Sequence, residues 1–418
     1  MASMSRAPAR AVERLEGLDT ARGIAIALMF LSHTVKGLLS HKMIPDYGVV
    51  PIHLLTKLSS SLFILVFGFA VAVVFLPKAG TKRWPAARWG LFKRALVVMF
   101  WYKVLIVVQM FERAKPERII ETLTWQRFPD FVEILHFYGW FVLLLVVLLP
   151  IWRASPLVVR VLFPVVFGVA GWWLHVSFDF WGIWQLKAVI VEHPKTFCFG
   201  ILTRGSMALA GLLAGDLLLA NRDHRVFRHL TAAICIILGC LFVITFFWVY
   251  RDALPATLYD LALNHGKHPP NFPFVTFTFG GALAVLGACL AAPPALLKLG
   301  RPFTIVGQES LFCFVFHIVV IFVGYRYLLG LRHDVTYPQA LGLTLLVFGS
   351  AAAVAAFKTQ LKRSMRHAQR AAREQEEREG KARDAQLREL AREWERGTDP
   401  VARDPDVGDH EDLSRVRR

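Results

Sequence analysis

With 418 residues, 55% of them hydrophobic and only 19% charged, and a mean hydropathy of +0.47, the chain is too apolar for an ordinary soluble domain of its size. Its formal charge of +17 is dispersed among apolar blocks, which argues against a nucleic-acid footprint, so no nucleic-acid partner is expected. The blocks are about twenty residues long, the length a helix needs to cross about 30 Å of hydrocarbon. The chain therefore reads as an all-α, polytopic transmembrane helix bundle of about ten spans.

In chain order, a cytoplasmic N-terminal segment (1–21) precedes a transmembrane domain (22–357) and a charged cytoplasmic tail (358–418). The expected spans are 22–41, 52–77, 91–111, 131–150, 156–179, 199–220, 226–249, 273–293, 302–326 and 336–357. No cleavable signal peptide is expected, because the apolar run after Arg22 continues to membrane length. The loops and flanks on one side carry 22 Lys and Arg against 11 on the other. The richer side is expected to be cytoplasmic, with both termini on it, as an even number of spans requires. The five cysteines, Cys198, Cys235, Cys240, Cys289 and Cys313, lie in or beside apolar blocks and lack metal-ligand spacing; no metal is expected. The tail from 357 onward holds 16 Lys/Arg and 14 Asp/Glu. It favours helix to about 397, with Glu374–Arg378, Glu379–Arg383 and Asp384–Arg388 at i,i+4 in the favourable order, and then an Asp- and Pro-rich disordered end.

Chemistry is expected among polar residues inside the spans, which are costly in lipid. The first span contains Arg22 and His33, eleven residues apart. At 100° per residue they share a helix face, about 16 Å apart along the axis. One reading is a positive-inside arginine with a hydrogen-bonded core histidine. The other is a guanidinium that meets phosphate at the cytoplasmic mouth and an imidazole that transfers protons deeper in the span. The separation is comparable to an extended pantetheine arm. Asp19 stands beside Arg22, either to orient it or to cap the helix. The fourth span carries Asp130, Glu133, His136 and Tyr138 near its outer end, and Glu133 and His136 nearly share a face. The ninth carries Glu309 near the cytoplasm and His317 about 12 Å farther along, close to the depth of His33. His265 and His268 fall in the outer loop 250–272. No Ser/His/Asp triad or G-x-S-x-G elbow is visible.

The first span, LDTARGIAIALMFLSH, resembles the acyltransferase-3 superfamily of multi-span membrane acyltransferases. Further segments resemble its heparan-α-glucosaminide N-acetyltransferase-like branch. SSSLFILVFGFAVAVVF (59–75) is similar to that branch's second span, with Phe67 in place of Ser before Gly68. HPPNFPFVTFTFGGALAVL (268–286) is similar to its Tyr-Pro-Pro-Ser segment, with His268 and Asn271 replacing Tyr and Ser. LGRPFTIVGQESLFCFVFHIVVI (299–321) is similar to its penultimate span, ending in a histidine, His317. The resemblance implies transfer of an acyl group, acetyl by default, from cytosolic acyl-CoA to a hydroxyl or amine of an extracytoplasmic or lipid-linked glycan. His33 is then the catalytic base, and Arg22 and Asp19 hold the coenzyme. Glu133, His136, His268, Asn271 and His317 are candidates for the acceptor side. The expected partners are acyl-CoA, the acceptor and membrane lipids, and the expected location is a bacterial plasma membrane. The competing expectation is a transporter or flippase for a lipid-linked or sugar substrate, against which stands the lack of an evident internal repeat.

Overall fold

The computed structural model describes residues 15–40, 51–194, 196, 198–219 and 224–397. Among these residues the chain is helical, with a lone bridge between Leu39 and Val335. Apolar side chains in unbroken runs favour this outcome, because within hydrocarbon only a helix or a closed barrel satisfies every backbone polar group. The helices in order are α1 (Glu16–Leu38), α2 (Pro51–Thr56), α3 (Leu58–Phe75), α4 (Trp84–Met110), α5 (Pro116–Leu123), α6 (Glu133–Ala154), α7 (Leu157–Ser177) and α8 (Trp184–Val191). There follow α9 (Ile201–Leu219), α10 (His224–Val249), α11 (Leu254–Ala262), α12 (Phe272–Ala291), α13 (Pro294–Leu299), α14 (Arg301–Gln308), α15 (Ser310–Val319) and α16 (Tyr337–Gly397). A π-helical stretch, Val320–Leu328, continues α15.

Every expected span falls on helix. Eight helical segments among the described residues are long and apolar enough to cross a membrane, two fewer than the expected ten. The two that fall short are α1 and α4. Polar groups lower their apolarity: Arg22, His33 and Lys36 on α1, and Lys93, Arg94 and Lys103 on α4. The expected ninth span is broken at Glu309, where the backbone leaves helical geometry between α14 and α15. Most of the expected N-terminal segment and the Asp- and Pro-rich end lie outside the described residues.

The described residues divide into two units, one ending at Ala356 and one beginning at Phe357. In the second, described side chains from residue 360 onward are exposed. None of the three expected i,i+4 pairs closes to ion-pair distance there. The physical reason is that an exposed pair gains only a few tenths of a kcal/mol, too little to fix two long side chains.

In the first unit α1 packs on α3, α12 and α14, and α3 packs on α9. Close backbone approach makes these contacts possible. A Cβ on Gly23 would stand 1.8 Å from the Phe303 carbonyl oxygen, and one on Gly307 would stand 1.9 Å from that of Asp19. Thr20 and Thr304 share a hydrogen bond of 2.8 Å across the same seam. Small residues and short hydroxyls are the usual means of holding helices together where lipid removes the hydrophobic drive. By contrast α7 and α10 leave large apolar side chains such as Val165, Trp172, Ile237 and Trp248 exposed, which suits contact with acyl chains.

Candidate active site

Helix α1 carries the centre of the site. His33 lies on its distal half, and α15 brings His317 alongside, with His33 Nδ1 2.9 Å from His317 Nε2. The other nitrogen of His317, Nδ1, lies 3.2 Å from the Cys313 carbonyl. A carbonyl only accepts, so His317 Nδ1 carries the proton. In neutral His317 the Nε2 is then an acceptor, and His33 Nδ1–H donates to it. That leaves the lone pair of His33 on Nε2, the tautomer a general base requires. The two rings lie nearly parallel, with centroids 5.1 Å apart, and His317 stacks on Phe30 at 4.4 Å.

His33 opens into a small pocket of about 30 Å³ walled by Ser59, Ser60, Glu133, Lys267 and Phe131. This volume holds about one water molecule. Lys267 Nζ donates to Glu133 Oε1 at 3.3 Å. Burial lowers the proton affinity of the Lys267 ammonium, with Glu133 opposing that shift. Behind the lysine sits a buried ionic cluster. Arg204 Nε donates to Glu192 Oε1 at 2.8 Å with both side chains 0% exposed, and His268 Nδ1 lies 2.8 Å from Glu192 Oε2. Arg204 also donates to the Lys267 carbonyl, which ties the lysine's backbone to the cluster. Burial alone would raise the Glu192 carboxyl, but Arg204 and His268 outweigh it and hold it below its ordinary value. Two residues here take positive φ without being glycine, Phe131 at 68° and Glu192 at 69°. Such conformations cost about 1–3 kcal/mol each and gather at functional sites.

At the opposite end of α1, Arg22 Nη1 donates to the Gly307 carbonyl at 3.2 Å and contacts Asp19 Oδ1 at 3.5 Å. Asp19 is buried in the first turn of the helix, where a carboxylate also complements the helix dipole. α1 is unbroken from Glu16 to Leu38, so the shared face of Arg22 and His33 holds in the fold.

Beyond His33 lies a vestibule of about 1290 Å³. It is built from the Lys36 end of α1, the end of α4, α5, the loop 124–131, the start of α8, the π-helical stretch and the loop 329–336. That last loop is fastened to α1, since Ser40 N donates to the Val335 carbonyl and Asp334 N to that of Leu38, each at 3.1 Å. Phe131 lines both the vestibule and the small pocket. Its ring meets His33 edge-on at 5.3 Å and lies under the Lys36 ammonium at 4.7 Å. Asp130, next to it, has its carboxyl raised by burial, with Lys36 opposing.

The other expected residues take separate places. His136 does not join the His33 pocket. Trp140 donates to its Nε2 at 3.0 Å, which puts the proton on Nδ1, 3.5 Å from Cys198 Sγ. Glu133 and His136 therefore have different partners despite their i,i+3 spacing. Tyr138 ties α6 to α3 by donating to the Phe63 carbonyl at 2.9 Å. Asn271 caps α12, accepting from Phe274 N at 3.0 Å. His265 is exposed beside Asp260, and Glu309 stands at the break between α14 and α15. Sequence reasoning missed Lys267, Glu192 and Arg204. The signal for Arg204 was present, an arginine inside an apolar span; Lys267 and Glu192 sit in loops, where charge is ordinary.

No curated protein matches this chain. The family described as OpgC protein matches residues 14–115 and 106–363, which together take in every residue of the site. The resemblance to multi-span acyltransferases is thereby supported at the level of an acyltransferase-related family; the match does not extend to the acyltransferase-3 superfamily or its N-acetyltransferase-like branch. The chain belongs to the OpgC protein family, a membrane acyltransferase-like family.

Proposed function

We propose that the protein transfers an acyl group from cytosolic acyl-CoA to a hydroxyl or amine of a glycan or lipid-linked acceptor on the other face of a bacterial plasma membrane. The observation that carries this reading is the His33–His317–Cys313 hydrogen-bond chain, which leaves His33 Nε2 as an acceptor beside the Lys267 ammonium. Basic residues crowd the side on which Arg22 stands, which supports entry of the coenzyme there. Its phosphates meet the Arg22–Asp19 end, and its thioester reaches toward His33 about 16 Å along the helix. The acceptor enters through the vestibule.

His33 Nε2 takes the proton of the acceptor O–H or N–H as that atom attacks the thioester carbonyl carbon. His317 accepts from His33 Nδ1 and stabilises the imidazolium that forms. The carbonyl oxygen gains negative charge next to Lys267, which stabilises it electrostatically in a site with little water. Collapse re-forms the carbonyl and breaks the C–S bond, and the departing thiolate takes the proton from His33. Acetyl is the default acyl group; the segment resemblance to the acyltransferase-3 superfamily supports that choice. Direct transfer is favoured over a serine acyl-enzyme because the sequence carries no Ser/His/Asp triad or G-x-S-x-G elbow. The transporter reading draws no support from the family match.

The test is thiol release. Purified protein in proteoliposomes, given acetyl-CoA and membrane glycans as acceptor, is expected to liberate free coenzyme A thiol in step with acetyl incorporation. Movement of a solute with no acyl-CoA consumed would favour the transporter instead.

A further inference from the structure

Charge is not spread evenly along the tail unit. Its first part, residues 357–373, contains Lys358, Lys362, Arg363, Arg366, Arg370 and Arg373 and no Asp or Glu. The next six residues, 374–379, hold four glutamates against one arginine. Both stretches lie on the helix that runs to Gly397, and that helix sorts the first of them into two faces. At 100° per residue the six basic positions occupy an arc of about 140°. Phe357, Leu361 and Met365, joined by Ala368, Ala371 and Ala372, occupy a separate arc of about 120°. The three large apolar side chains are 66%, 51% and 56% exposed, and Arg363, Arg370 and Arg373 are exposed as well. A topology signal asks only for Lys and Arg near the end of a span and is indifferent to helix face. Basic residues gathered on one face, with an exposed apolar stripe on another, are the pattern of a helix that binds a membrane surface. In sequence the segment begins where the last expected span ends. The glutamates after Arg373 set its far limit, because an anionic surface repels them.

We propose that residues 357–373 bind the surface of an anionic phospholipid leaflet, with the lysines and arginines on headgroup phosphates and Phe357, Leu361 and Met365 at the boundary between headgroups and acyl chains. The long Lys and Arg stems let the charges reach the phosphates from the side of the helix. Charge supplies most of the binding: each Lys or Arg near such a surface contributes roughly fivefold, whereas the apolar stripe is short and three of its six members are alanines. The proposal does not depend on the acyl-transfer reading.

The experiment is amide hydrogen exchange on full-length protein, one copy per nanodisc, in phosphatidylcholine alone and in phosphatidylcholine with about one-third phosphatidylglycerol. Amides of 357–373 are expected to exchange at least tenfold more slowly in the anionic discs at low salt, and those of 381–397 equally in both. The difference is expected to shrink as salt rises, because exposed charges are screened. It is expected to fall to threefold or less in Arg363→Gln/Arg370→Gln. Lys358→Gln/Arg373→Gln serves as the second variant if the first fails to fold. Equal exchange of 357–373 in the two kinds of disc would overturn the proposal, as would a difference undiminished in both double variants. Slowing that appears only when a disc holds two copies would also overturn it, by giving the face to a second chain. So would equal slowing by inorganic phosphate in phosphatidylcholine discs, which would give the basic face to a free anion.

Discussion

At the scale of single residues, the proposed chemistry rests on the tautomer of His33, and a neighbour sets that tautomer. His317 is fixed by the Cys313 carbonyl, so His33 points its proton toward His317 and its lone pair away. We predict that His317→Gln lowers kcat by at least tenfold with little change in the KM for acyl-CoA, because it disturbs orientation and not coenzyme binding. A larger effect on KM than on kcat would count against that role. Lys267 gives a pH test. Its lowered proton affinity means that it loses its charge at a lower pH than an ordinary lysine. If the ammonium stabilises the oxyanion, the rate falls as pH rises through that value. Lys267→Arg remains charged, and its alkaline limb is expected to lie at higher pH; coincident limbs would remove Lys267 from the mechanism. Glu192 gives a stability test. Glu192→Gln leaves Arg204 buried without a counter-charge and is expected to cost about 3–5 kcal/mol, read as a lower thermal midpoint in detergent. The double variant Glu192→Gln/Arg204→Met is expected to recover much of that loss. Because the Glu192 carboxyl is held low, its contribution is present above the ordinary glutamate range and is lost as pH falls through its depressed value.

At the scale of elements, α1 joins the two ends of the site, and its fit against α14 depends on backbone contact at Gly23 and Gly307. Phe131 is the other decisive element feature. It stands between vestibule and pocket in a conformation that a bulky residue rarely adopts. We predict that Phe131→Gly relieves the strain and opens the wall. Acceptor-independent hydrolysis of acyl-CoA should then rise severalfold, measured as thiol release with no glycan present. A hydrolysis rate equal to that of the native protein would show that Phe131 does not keep water from the pocket. Much of α1 was legible in the sequence, since the 3.6-residue period alone places Arg22 and His33 on one face. The meeting of His33 with His317 was legible only as a similar depth, because span direction gives height in the membrane and not which helices touch. His136 and Asn271 show the limit. Both are the residue types and positions that suggest a site, yet one is held by Trp140 and the other caps α12. Such local bonds depend on side-chain direction, which spacing does not fix.

At the scale of the whole molecule, hydropathy revealed the helical bundle, while its account of α1 and α4 needed the fold. Those helices carry too much charge to stand as plain apolar spans, and α1 is sheltered because α3, α12 and α14 surround it. The Glu192–Arg204–Lys267 cluster was illegible for a related reason. It assembles from a loop, a span whose arginine lies 12 residues on, and another loop whose lysine lies 63 residues beyond that. The proposal of transfer across the membrane draws on the two-ended arrangement, with Arg22 at one end of α1 and the vestibule at the other.

The most direct test of that account is a single-turnover measurement in sealed proteoliposomes of defined orientation, with labelled acetyl-CoA on the Arg22 side, acceptor glycan on the vestibule side, and native protein set beside His33→Ala. The account predicts that label appears on the enclosed glycan with the native protein, and that the rate falls at least about a hundredfold in His33→Ala while acetyl-CoA binding persists. Full activity in His33→Ala, or transfer only when donor and acceptor share one side, would contradict it.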